Sequence, residues 1–190
     1  STHAGEETVI LDVYRRLLKV RPDFGLILIP RHIERGPAVA ELVRQAGFSD
    51  CITMSEIQAG SSRREEKVIL VDVIGELFKV YSLAAVVFCG GSLVPKGGQN
   101  LLEAAAWGKV VFHGPHMEDF RDEQALIEEA GAGITVANGE ELFAGIVDLL
   151  NHPDRLRRKG EAGRQAVAAN TGAAERYAAL IEEVLSRRIK

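Results

Sequence analysis

Apolar positions in this chain fall into two patterns. Short solid runs alternate with stretches where apolar residues recur every three or four positions. The solid runs are "GLILIP" (25–30), "CITM" (51–54), "KVILVD" (67–72), "AAVVFCG" (84–90), "KVVFHG" (109–114) and "GITVAN" (133–138). They are rich in Val and Ile and show no apolar/polar alternation, which predicts strands buried on both faces. Helical periodicity occupies "GEETVILDVYRRLLKV" (5–20), "GPAVAELVRQAG" (36–47), "GELFKVYSLA" (75–84), "QNLLEAAAWG" (99–108) and "EDFRDEQALIEEAG" (118–131). From residue 139 the pattern is helical only, over 139–150, 153–169 and 173–188. Strands alternating with helices predict a doubly wound, Rossmann-like α/β domain: a parallel sheet of about six strands, followed by C-terminal helices. The polar stretch "SEIQAGSSRREE" (55–66) reads as an exposed loop. No repeat or linker divides the chain, so residues 1–190 form one domain.

Composition narrows the class. The 190 residues are 46% hydrophobic and 26% charged, with a net charge of −4, so an overall basic footprint for nucleic acid is missing. Cys51 and Cys89 form no CxxC and read as small buried apolar residues, in keeping with a reducing cytoplasm. No apolar run approaches the eighteen or so residues of a membrane span, and no signal peptide is visible. The abrupt opening on "STHAGEE" predicts an excised piece of a longer protein or a processed mature form.

Ligands of an open parallel sheet bind beyond the carboxyl ends of the strands. The residues there include Pro30-Arg31-His32, Asp72 to Glu76, Gly90-Gly91-Ser92 and His113 to His116. The stretch "GGSLVPKGGQNLLEAAAWGK" (90–109) is the densest in glycine, at Gly90, Gly91, Gly97 and Gly98. Either the backbone turns sharply there or something comes very close to it. A helix starting near Gln99 would aim free N–H groups at an anion. Asn100 and Glu103 would share a face of its first turn. Glu103 could serve the helix dipole, or accept hydrogen bonds from a ribose diol. Neither GxxxxGK[ST] nor GxGxxG is present.

Arg31 ends a nearly pure apolar strand, where its planar donor fork suits phosphate or carboxylate; a surface arginine is the alternative. Asp72 could cap a helix starting near Ile74. Gly75 leaves room for a flat base. His113 and His116 form an HxxH, but Gly114-Pro115 forbids a helix there, so no metal site is expected. His3 and His32 read as structural or loop residues, Trp107 as core. The basic run "RLRRKG" (155–160) reads as a solvated helix face, with a lipid-surface role as the alternative.

In that order "STHAGEE", "PRH", "VDVIGEL", "GGSLVPKGGQNLLEAAAWGK" and "GPH" resemble the carboxyl-terminal half of the bacterial Kdo transferases. These enzymes place 3-deoxy-D-manno-octulosonic acid (Kdo) on lipid A precursors in lipopolysaccharide synthesis. The resemblance runs from Ser1 to at least the helix near residue 150. It departs from the common pattern at Gln99, where His is usual, and at Leu101 and Ala105, where Pro is frequent.

The resemblance implies one half of a GT-B glycosyltransferase fold whose donor is CMP-Kdo, with no separate cofactor and no metal. Arg31 would contact the phosphate or the sugar carboxylate and stabilise the leaving group. The backbone of Val73, Ile74 and Gly75 would read cytosine. Gly91 and Ser92 would flank the phosphate, Asn100 would bind it, and Glu103 would hold the ribose hydroxyls. Ser1 and Thr2 would line the donor site. The transfer would be inverting. The lipid A precursor, the general base and most of the membrane contact would belong to an amino-terminal domain absent from these residues. The parent protein would work at the cytoplasmic face of the inner membrane, and these residues alone would be soluble and transfer nothing. The alternatives are a GT-B domain for a UDP- or ADP-sugar and a non-enzymatic nucleotide-binding module.

Overall fold

A computed structural model describes residues 1–61 and 67–170. The helix expected over 173–188 and the end of the loop expected over 55–66 lie outside the described residues. Each predicted apolar run contains a strand: β1 (Leu26–Leu28), β2 (Cys51–Thr53), β3 (Val68–Leu70), β4 (Val86–Cys89), β5 (Val110–His113) and β6 (Gly133–Thr135). All the ladders are parallel. They form two three-stranded sheets, ordered β1-β3-β2 and β4-β5-β6, instead of one continuous sheet of six. The register places Leu28 opposite Leu70 in the first sheet and Phe88 opposite Phe112 in the second.

The amino terminus lies against the strand ends of both sheets. Thr2 forms a parallel bridge with Pro30, donating its N–H to the Ile29 carbonyl at 2.7 Å and accepting from the Arg31 N–H at 2.8 Å. The Ser1 carbonyl lies where a side chain on Gly90 would be. Chain at Ser1–Thr2 therefore stands between the carboxyl ends of β1 and β4.

The helices are α1 (Glu6–Val20), α2 (Gly36–Gln45), α3 (Met54–Gln58), α4 (Leu77–Tyr81), α5 (Leu102–Ala106), α6 (Arg121–Glu129), α7 (Gly139–Asn151) and α8 (Pro153–Asn170), with a 3-10 turn at Ile33–Arg35. In α1 the buried residues Ile10, Val13, Tyr14 and Leu17 recur at helical spacing. They join Leu28, Leu70, Val110, Phe112, Leu142 and Ile146 in the main core. Burying a side chain of this size contributes about 1.5–3 kcal/mol.

Three expectations need correction. The first part of 55–66 is not loop. Thr53 and Glu56 form a reciprocal capping box that starts α3, with the Glu56 N–H donating to Thr53 Oγ1 at 3.2 Å and the Thr53 N–H to Glu56 Oε2 at 2.8 Å. The helix after the glycine-rich stretch begins at Leu102, so Asn100 precedes it and does not share its first turn with Glu103. Trp107 is not core: it is 42% exposed and touches the Phe78 ring, with centroids 5.4 Å apart. The run at 155–160 lies in α8, where Arg157 pairs with Asp154 at 3.0 Å on an exposed face. Among the described residues no helix is long and apolar enough to cross a membrane.

Candidate functional site

The site is built around the first turn of α1. Two acidic side chains there, Glu6 and Glu7, are fully buried. A buried carboxylate is very costly unless hydrogen-bonded, and Glu6 is ringed by donors. It accepts main-chain N–H groups from His3 (2.9 Å), Gly91 (2.7 Å), Ser92 (3.1 Å) and Leu93 (3.0 Å). The glycine-rich loop is thus an anion nest, and the anion in it is the protein's own. Glu7 accepts from Thr2 Oγ1 at 3.0 Å and from Arg35 Nη1 at 2.7 Å; this bond raises the Arg35 pKa further.

The glycines of the loop are explained by the same closeness. A side chain at Gly90 would overlap the Ser1 carbonyl, one at Gly97 the Asp119 carboxylate, and one at Gly98 the Met117 thioether. Gly91, at φ +72°, also brings its carbonyl to the Gly98 N–H at 3.0 Å. What comes close to this backbone is other parts of the chain. Ser92 is buried: its hydroxyl donates to the Cys89 carbonyl and accepts from the Gly114 N–H at 2.8 Å. The loops after β4 and β5 are locked together.

The other expected residues surround this braced loop. Ser1 and Thr2 lie against the ends of β1 and β4, and the charges of Glu6, Arg31 and Glu103 act on the Ser1 nitrogen. Arg31 is exposed and Glu103 half-buried. His3 sits between the two loops. Its ring meets His32 edge-on at 5.9 Å, and its Nε2 lies 3.5 Å from Gln99 Nε2. Burial lowers the His3 pKa, Glu6 opposes that shift, and nearby His32 and Lys96 add to it. These influences favour the uncharged imidazole of His3. Arg31 and Lys96 then supply fixed positive charge, with Glu103 as the carboxylate of the same region.

Asn100 uses Oδ1 to accept the Leu102 N–H at 2.9 Å, holding the entry to α5. Val73, Ile74 and Gly75 form an exposed turn after β3, next to β1 in the sheet but outside the contacts around Ser1. Ile74 is 82% exposed, and Gly75 adopts φ +92° with open space around its α-carbon. Asp72 does not cap a helix near Ile74. It accepts the N–H and hydroxyl of Ser55 at 2.9 and 2.5 Å, tying the end of β3 to α3. The two histidines of the HxxH go separate ways: buried His113 lies 3.1 Å from Glu128 Oε1, and His116 lies 3.3 Å from Glu118.

Sequence reasoning missed Glu6, Glu7, Arg35 and the charge of Lys96. Acidic residues in a first helical turn are usual, so the only signal was that no Lys or Arg follows Glu6 or Glu7 by three or four positions.

A parallel α/β domain with cations, a carboxylate and a braced glycine loop at its strand ends has the make-up of a nucleotide- or sugar-nucleotide-binding domain. Comparisons with known proteins narrow this class. No family model matches the chain. It is 35% identical over 190 residues to the 3-deoxy-D-manno-octulosonic acid transferase of Haemophilus influenzae, covering 100% of this chain and 44% of that protein. The corresponding transferase of Aquifex aeolicus is 34% identical over 151 residues, 80% of this chain and 40% of that protein. Among solved structures, the C-terminal CMP-Kdo binding domain of WaaA from Acinetobacter baumannii superposes with a TM-score of 0.80 at 27% identity. That match covers 88% of this chain and 86% of the other. The chain is a homologue of the Kdo transferases and spans less than half the length of these curated relatives.

Proposed function

We propose that these residues form the donor-binding part of a glycosyltransferase that moves Kdo from CMP-Kdo to a lipid A precursor. The observation that carries this reading is the alignment of the whole chain with a Kdo transferase at 35% identity. The likeness to a CMP-Kdo binding domain supports it, as does the presence of both Arg31 and Glu103 among the charges that act on Ser1. In this reading Arg31 meets the phosphate or the sugar carboxylate and stabilises the charge that grows on departing CMP. Asn100, whose Oδ1 is engaged, offers its NH₂ group to the phosphate, while Glu103 accepts from the ribose hydroxyls. The open turn at Val73, Ile74 and Gly75 presents backbone to the cytosine edge. Gly91 and Ser92 serve as a wall beside the phosphate, because their N–H groups are spent on Glu6. Ser1 and Thr2 line the floor.

The acceptor hydroxyl, and the carboxylate base that would deprotonate it for an inverting attack, belong to the part of the relatives that these residues do not span. Membrane contact and work at the cytoplasmic face of the inner membrane belong there too. Calorimetric titration with CMP, UMP and ADP tests the reading. CMP should bind at least tenfold more tightly than the other two, a difference of about 1.4 kcal/mol. Equal or tighter binding of UMP or ADP would indicate another sugar nucleotide, and no binding of any would remove the donor-site assignment.

A further inference from the structure

The charged groups at the strand ends fall into two sets. Arg31 and Glu103 act on the Ser1 nitrogen. A second set gathers around His3. His32 meets its ring edge-on at 5.9 Å, Gln99 Nε2 lies 3.5 Å from its Nε2, and the charge of Lys96 reaches it. A side chain on Gly91 would lie 3.3 Å from His3 Cδ2 and 3.4 Å from Nε2. That edge of the ring faces the braced loop, and the Nδ1 edge is turned from it. With the Gln99 NH₂ group at Nε2, an uncharged ring carries its proton on Nδ1. Nothing among the described residues accepts from that N–H. Lys96 is exposed and pairs with no carboxylate among the described residues. The Glu6 carboxylate accepts the main-chain N–H of His3, but each of its oxygens already takes two such donors, so its charge is spent on the loop.

The donor in the reading above brings two anions to the strand ends. Kdo is an ulosonic acid, so its carboxylate sits on the anomeric carbon, the same carbon that is joined through oxygen to phosphorus. One planar guanidinium fork matches one such group. We infer that His3, with Gln99 and Lys96, forms a subsite for the carboxylate on the anomeric carbon of the donor sugar, leaving Arg31 to the phosphate. The inference rests on the donor-site reading. His3 Nδ1 and the Gln99 amide donate to the carboxylate oxygens, and Lys96 supplies positive charge from the solvent side. A neutral imidazole holds the carboxylate by a hydrogen bond without cancelling its charge. The carboxylate stays negative beside the anomeric carbon, where positive charge grows as CMP departs. An aldose nucleotide has no carboxylate on that carbon, so the subsite selects acidic ketose donors over neutral sugars.

Initial-rate kinetics on the full-length transferase test this with CMP-Kdo as substrate and CMP as inhibitor. CMP keeps the phosphate and lacks the carboxylate, so its inhibition constant reports the donor site without the subsite. His3→Ala should raise the KM for CMP-Kdo about tenfold, while the inhibition constant of CMP moves by less than about twofold. His3→Gln, which keeps a donor, should recover part of the loss. Lys96→Met, at an exposed position, should raise KM about threefold, and by less in high salt. Arg31→Ala should weaken CMP and CMP-Kdo together. Equal losses for the two ligands in His3→Ala would overturn the inference and leave the donor site in place, and so would an unchanged KM. A wild-type enzyme that CMP does not inhibit would overturn the donor-site reading itself, and the inference with it.

Discussion

The loops on the two sides of Ser1–Thr2 use glycine for different reasons. After β4, Gly90 has no room for a side chain against the Ser1 carbonyl, and Gly97 and Gly98 combine crowding by Asp119 and Met117 with φ of +76° and +81°. After β3, Gly75 has nothing near its α-carbon, and only its φ of +92° calls for glycine. The first loop is pinned by a buried carboxylate and hydrogen-bonded to the loop after β5; the second is exposed, with Ile74 almost fully in solvent. The edge of the sheet therefore divides into a braced wall and an open side. Glycine richness locates the wall, while Arg31 and the turn at Ile74–Gly75 are exposed.

If that division holds, breaking the brace should cost stability first. Glu6→Ala strands four N–H donors and should destabilise the fold by about 3–5 kcal/mol, read by urea unfolding. Glu6→Gln, retaining one acceptor oxygen, should cost less. Arg31→Ala should do the reverse. Transfer by the full-length protein should fall about 10²-fold or more, while unfolding free energy moves by less than about 0.5 kcal/mol. A large stability loss at Arg31 would erase the distinction.

Glycine substitutions sharpen it further. Gly114→Ala drives a methyl group into the Ser92 backbone and should cost about 2–3 kcal/mol. Gly75→Ala meets only the left-handed backbone penalty of about 1 kcal/mol. Equal costs by chemical denaturation would count against the division.

The smallest effect concerns pH. Burial pushes the Cys89 thiol up to about 11, so the unfolded chain releases this proton before the folded one. Its contribution is complete below about pH 9 and is lost as pH rises through about 11, on the order of 1–2 kcal/mol. The loss of stability between pH 8.5 and 10.5 should be smaller in Cys89→Ala by that amount.

The fold was largely legible because strands buried on both faces leave unbroken Val- and Ile-rich runs, as at "KVILVD" and "AAVVFCG". The start of α3 was missed: its polar residues read as loop and hid the Thr53-x-x-Glu56 spacing of a capping box. The brace was not legible either. Glu6 resembles any acidic residue in a first helical turn, and three of its four partners lie 85 to 87 positions away. The gap between β1 and β4 was hidden for a related reason, since adjacency of strands is decided by long-range pairing that local pattern does not carry. Arg31 and Glu103 stood out as candidates because each is a charge at the end of an apolar element.

A two-dimensional NMR titration of the chain with CMP addresses the wall and the open side in one measurement. The account predicts the largest shifts at Arg31, residues 73–75 and residues 100–103, with the Gly91, Ser92 and Leu93 amides still held by Glu6 and slow to exchange at saturation. Saturation that leaves Arg31 and residues 73–75 unmoved, or that frees those three amides from Glu6, would contradict it.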